Sequence, residues 1–139
     1  GSAGAAIDLA DAESVAKGMF LDDKISLTWS APRALLPKNK VKLLLNLVTL
    51  ATGAIPRGGN IHVEVTGEDD DASFTLTSQG QNARIPPHAE QLLAGQEIEG
   101  GVTAHGIQPF YTGEVARAAG MSVAFTLEGD TVTIRSAKA

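Results

Sequence analysis

The stretch from residue 38 to residue 54 carries so many large aliphatic side chains that it limits what the rest of the chain can do. Val41, Leu44, Leu45 and Val48 form one apolar stripe at helical spacing, and Leu43, Leu47, Leu50 and Ala54 form a second. Only a narrow face, with Lys42, Asn46, Thr49 and Gly53, stays polar or small. A helix this apolar has to be covered on most of its sides. The remaining sequence must therefore wrap it, and 139 residues are enough for one domain that does so.

The flanking segments supply the cover. Residues 1–7 are small and Gly/Ala-rich. Asp8 or Asp11 can cap a helix running to about Phe20, with Ala12, Val15, Ala16 and Met19 on one face. Ile25, Leu27 and Trp29 alternate with polar residues as a strand, and Pro32 and Pro37 interrupt the segment between that strand and the apolar helix. Residues 56–59 make a turn. Ile61, Val63 and Val65 then alternate with His62, Glu64 and Thr66, and after an acidic turn Phe74 and Leu76 alternate with Ser73, Thr75 and Thr77. These two strands read as an antiparallel pair.

A loop over 79–87 and a short helix over 87–94, closed by Gly95, come next. Residues 96–106 read as a Gly-rich, mobile loop. A third helix spans 107–119, with Ile107, Phe110, Tyr111, Val115 and Ala118 at helical spacing and Gly120 just past its end. Met121, Val123, Phe125 and Leu127 form a fourth strand; Val132 and Ile134 form a fifth. The expected class is α+β, a two-layer sandwich with a mixed sheet of about five strands, joined mostly by hairpins, and helices on one face. The other face stays wet, as the apolar/polar alternation requires.

Charge and composition exclude several functions. A net charge of −5 opposes unassisted binding to nucleic acid or to an anionic membrane, and permits a partner with a basic face. The absence of cysteine excludes disulfides and thiolate metal sites, and fits a reducing compartment. No run approaches the roughly 18 apolar residues of a membrane span, and no charged-then-apolar leader opens the chain. The protein is read as cytoplasmic. Gly1-Ser2 reads as a cloning scar or as the start of a fragment.

Leu45-Asn46-Leu47, then Ala51, then residues 55–63 (Ile-Pro-Arg-Gly-Gly-Asn-Ile-His-Val) resemble the helix–turn–strand of the ATP-binding domain of sensor histidine kinases, the GHKL superfamily. In that family the helix carries Asn-Leu-x-x-Asn-Ala, followed by Pro-x-Gly-Gly-x-Ile. The resemblance implies where nucleotide residues would stand. Leu50 takes the position of the family's Mg²⁺-binding Asn, while its partner Asn46 is retained. Gly53 replaces the Lys after Asn-Ala. Ser78-Gln79-Gly80-Gln81-Asn82 stands in for Asp-x-Gly-x-Gly, so Ser78 replaces the adenine-reading Asp and Asn82 the second Gly. Of the last Gly-rich box only Gly106 survives, with Pro109 and Phe110 in the turn.

Each change opposes nucleotide binding. Mg²⁺ wants hard oxygen ligands and Leu50 offers none. Ser78 lacks the anion and the reach that an adenine amine needs. A phosphate cradle needs close backbone N–H groups, which Pro109 and Phe110 oppose. Asn46, Leu50, Ser78, Gly80, Asn82 and Gly106 are thus expected to line a vestigial pocket, with no catalytic residue, no cofactor and no metal.

Leu27-Thr28-Trp29 with Pro32, the Ala54-Ile55-Pro56-x-Gly-Gly turn, and Ile107-Gln108-x-x-Tyr111 running on to Arg117-Ala118-Ala119-Gly120 are similar to the alphaproteobacterial histidine phosphotransferase family of the ChpT type. The family pairs a helical hairpin bearing the phospho-accepting His with a degenerate ATPase-like domain, and relays phosphate from a hybrid histidine kinase to receiver domains of cell-cycle regulators. The resemblance implies that residues 1–139 are one such C-terminal domain: 1–20 a linker and first helix, 21–139 the sandwich, the hairpin absent. The implied function is a non-ATP-binding module that helps dock response-regulator receivers in a phosphorelay, with the intact protein a phosphotransferase. The piece is expected to be a monomer, and the intact protein a homodimer through the hairpin. The alternative is a divergent but active GHKL ATPase or protein kinase.

Other residues are read as ordinary surface or core. His62 belongs on the solvent face of its strand and His88 near a helix start. His105 sits in the loop that would be the ATP lid, and the three are too dispersed for a metal site. Glu68, Asp69, Asp70 and Asp71 read as a solvated hairpin tip. Gly80 and Gly106 are either relics of nucleotide loops or turn residues. Trp29, Phe110 and Tyr111 are a partner patch or, for Trp29 and Phe110, core. Lys38, Lys40 and Lys42 form a solvated helix end or a basic contact for an acidic receiver.

Overall fold

A computed structural model describes residues 6–19, 24–67, 71–96, 98, 100–101 and 106–139. Five strands, β2 (Ile25–Ser30), β4 (Gly59–Thr66), β5 (Ser73–Gln79), β7 (Thr131–Lys138) and β6 (Met121–Glu128), lie side by side in that order as one mixed sheet. β4–β5 and β6–β7 are the expected hairpins. β2 instead pairs parallel with β4, Leu27 opposite Ile61 and Trp29 opposite Val63. Parallel neighbours cannot be joined by a tight turn, and the crossover is the apolar helix itself, α2 (Lys38–Gly53).

The coverage demanded by α2 is met from all around. It packs against β4, β5 and β7 of the sheet, α4 (Ile107–Ala118), α1 (Leu9–Gly18), and two short strands, β1 (Ala6–Asp8) and β3 (Leu35–Pro37). Leu43, Leu44, Leu47 and Val48 are completely buried. Each such side chain contributes roughly 1.5–3 kcal/mol of apolar burial. Across the sheet, Ile61, Val63, Phe74, Leu76, Val132 and Ile134 face the same core. The opposite face carries polar side chains bonded across strands, including Thr28 to His62 Nδ1 at 2.7 Å and Thr66 to Ser73 at 2.8 Å.

Three expectations need correcting. The pair β1–β3, with Ile7 opposite Leu36, adds a second small sheet that the sequence does not announce, because strands of three residues are too short to show a period. Helix α1 is capped by Asp8, whose Oδ1 accepts from Ala10 N at 2.8 Å, and it ends at Gly18, short of Phe20. It buries Leu9, Ala12 and Ala16, while Val15 and Met19 stay about half exposed, at 53 % and 45 %. Helix α4 turns a different face inward: Pro109, Thr112, Gly113, Val115 and Ala116 are buried, whereas Ile107, Tyr111 and Ala118 are exposed. The acidic residues 68–70, most of the lid-like stretch 96–106 and His105 lie outside the described residues. No helix among the described residues is long and apolar enough to cross a membrane.

Candidate functional site

Asn46 and Leu50 stand one turn apart on α2, on the side that meets α4. Asn46 has both ends of its amide engaged: Oδ1 accepts from Gln108 Nε2 at 2.8 Å, and Nδ2 donates to the Lys42 carbonyl at 2.8 Å. Gln108 belongs to the first turn of α4 and is held in turn by Thr112, which donates to the Gln108 carbonyl at 2.7 Å. Lys42 adds a cation–π contact, its Nζ 5.4 Å from the ring centre of Tyr111. The start of α4 is thus clasped to α2 through the retained amide. Leu50 is buried and forms part of a cleft of about 630 Å³.

Thr49, Gly53, Arg84, Pro86, Pro87, His88, Leu92, Ile98, Gly106, Gln108 and Pro109 complete the lining. Of the six expected pocket residues, Leu50 and Gly106 line the cleft, and Asn46 reaches it through Gln108. Ser78, Gly80 and Asn82 do not line it. Ser78 is fully buried and its Oγ donates to the Ala51 carbonyl at 2.9 Å, so its hydroxyl serves the helix–sheet packing. Gly80 is required by a close approach of two chain segments: a Cβ there would lie 2.2 Å from the Gly58 carbonyl oxygen. Asn82 adopts φ 63 in the turn after β5, a conformation Asn tolerates better than most residues.

The remaining candidates also find places. His62 is on the open face of the sheet, bonded to Thr28. His88 precedes α3 (Ala89–Leu93) with φ 61, lines the mouth of the cleft and meets Gln91 Oε1 at 3.0 Å. Trp29 packs against the core, while Phe110 is half-buried outside it. Lys40 is buried, with 5 % of its surface exposed, so the three lysines do not form one solvated cluster. Among the described residues, no group of three or more acidic or His side chains is placed to hold a metal ion.

Sequence reasoning missed the residues that join α3 to α4. Gly113 lets the Leu93 backbone lie directly on α4; a Cβ would meet Leu93 O at 2.0 Å. Arg117, one turn on, donates from Nη1 to the same carbonyl at 2.7 Å. A glycine inside an otherwise regular helix was the available signal, since it costs about 1 kcal/mol there unless something requires it.

Comparison with known proteins fits this geometry. The family model for the histidine phosphotransferase C-terminal domain matches residues 9–131. This chain belongs to that family. The chain is 46 % identical over 123 residues to protein phosphotransferase ChpT of Brucella abortus, covering 88 % of this chain and 59 % of the relative. It therefore spans less than two-thirds of that protein's length. A solved bacterial phosphotransferase superposes with a TM-score of 0.88 at 41 % identity, over 98 % of this domain and 66 % of that chain. The mycobacterial sensor histidine kinase MprB shares the fold alone, with a TM-score of 0.69 at 15 % identity over 95 % and 94 % of the two chains. The α+β sandwich of this chain thus has the fold of the histidine-kinase catalytic domains.

Proposed function

We propose that this domain is the non-ATP-binding half of a histidine phosphotransferase and that it helps hold receiver domains in register during a phosphorelay. The observation that carries the reading is the clasp at α2. Where the kinase fold would place a metal-binding amide, a buried aliphatic side chain, Leu50, forms the wall. The neighbouring Asn46 spends both of its polar ends inside the protein. Mg²⁺ needs oxygen ligands and Leu50 offers none, while Ser78 has its hydroxyl committed to Ala51.

In this reading residues 1–139 act as one unit, residues 1–20 leading into the sandwich. The phospho-accepting His is carried by a helical hairpin that accompanies the domain and makes the intact protein a dimer. Phosphate arrives from a hybrid histidine kinase. The imidazole P–N bond breaks as a receiver Asp carboxylate forms the new P–O bond. Such transfer depends mostly on positioning and on charge neutralisation by the receiver's Mg²⁺. This domain contributes docking geometry, in the cytoplasm and within cell-cycle control.

Titration with ATP and Mg²⁺ tests the reading. No saturable binding is expected at millimolar nucleotide. Saturation in the micromolar range would overturn it in favour of an active GHKL ATPase or kinase.

A further inference from the structure

The cleft beside Leu50 is walled mostly by apolar side chains. Its volume of about 630 Å³ lies within the roughly 300–1,000 Å³ range of small-molecule sites, and its setting between helices is a usual one. Leu50, Leu92, Ile98, Pro86 and Pro109 make its wall mostly apolar. Two of the polar groups in the wall are already committed, Gln108 to Asn46 and Thr49 to the Leu45 carbonyl. The mouth carries the exposed Arg84, whose backbone N–H donates to the Ala54 carbonyl at 2.9 Å. Among the described lining residues there is no Asp or Glu, in a chain of net charge −5. Arg84 forms no ion pair with a described residue.

An apolar cleft with a guanidinium among the described residues of its mouth selects ligands by polarity and sign. The guanidinium matches a carboxylate in a two-pronged geometry, and the wall favours a body without polar groups. We propose that the cleft binds a small organic monocarboxylate, its apolar body against Leu50, Leu92 and Pro109 and its carboxylate at Arg84. The inference rests on the reading above that no nucleotide uses this cleft. Such a ligand bridges α2, α3 and the start of α4, and so raises the folding stability of the chain in proportion to its occupancy.

The test uses the full chain with naphthalene-2-carboxylate as probe and naphthalene-2-methanol as its neutral counterpart, read by fluorescence titration and by thermal shift. Saturable binding of the carboxylate, tighter than that of the alcohol, is expected. Arg84→Gln should weaken the carboxylate about tenfold, the equivalent of one charge-assisted hydrogen bond at a partly exposed site, and leave the alcohol unchanged. Gly53→Leu fills the cleft from a helix position where a Cβ meets only Pro86 Cγ at 3.9 Å, so it should abolish both without loss of fold. Equal binding of the two probes, indifference to Arg84→Gln, binding that survives Gly53→Leu, or no saturation at millimolar probe would each overturn the proposal. If the carboxylate fails and ATP also fails to bind, only this inference falls. Saturable ATP binding that displaces the carboxylate would instead sink the reading on which it rests.

Discussion

Three buried positions show how one side chain can serve packing where another would serve chemistry. Leu50 is the first. Leu50→Asn would place an amide at the position that the resemblance to the kinase domain assigns to its metal ligand, yet Asn46 would still be bonded to Gln108 and Lys42. The expected result is a loss of about 2–4 kcal/mol in urea unfolding, from lost apolar burial and an unpaired amide, with no gain of Mg²⁺–ATP binding by calorimetry. Ser78 is the second: Ser78→Ala removes the bond to the Ala51 carbonyl and should cost about 1 kcal/mol. Ser136 is the third and acts in the opposite direction. It faces the core from β7, between Phe74 and Val123 in register, and its buried hydroxyl has no described partner. Ser136→Ala should raise the urea midpoint, because it removes a desolvated polar group at little cost in volume.

At the level of elements, α4 is held at two points by different means. Its first turn is clasped to α2 through Gln108 and Asn46, and its middle lies on α3 through Gly113. A double-mutant cycle of Gln108→Ala and Asn46→Ala should give a coupling of about 1 kcal/mol, against near-zero coupling for Gln108→Ala with a distant change such as Ser122→Ala. Gly113→Ala forces a methyl group onto the Leu93 carbonyl and should cost about 1–3 kcal/mol despite the better helix propensity of alanine. An Arg117→Ala change removes only the bond to the same carbonyl and should cost less. The helical spacing of Ile107, Phe110, Tyr111, Val115 and Ala118 marked a helix, but of these only Val115 is buried. The face that packs carries Pro109, Thr112, Gly113, Val115 and Ala116, and at Gly113 the Leu93 carbonyl leaves no room even for a Cβ.

Stability in the whole molecule is concentrated at the centre of the sheet. β5 lies between β4 and β7, and its side chains Phe74 and Leu76 are buried. Native-state hydrogen exchange should therefore find the slowest amides in β4, β5 and β7, and the fastest opening in the pair β1–β3, which has three residues in each strand. Uniform protection across both sheets would contradict this. The surface ion pair Lys17–Glu13 within α1 contributes little to the balance.

The sequence by itself determined a large part of this protein. The two stripes of residues 38–54 required a wrapped helix, the alternations at 25–29, 61–65, 74–76 and 121–134 marked all five strands of the main sheet, and Asn46 and Leu50 stood out by their place in a motif. These features are local or periodic, so they are written in residue order. Tertiary structure alone decided the rest: the parallel pairing of β2 with β4, the inward face of α4, the commitment of Asn46 to Gln108, and the meeting of Arg84, Leu50 and Pro109 around one cleft. Each of these joins segments far apart in the chain, through hydrogen bonds and contacts that no short-range pattern encodes.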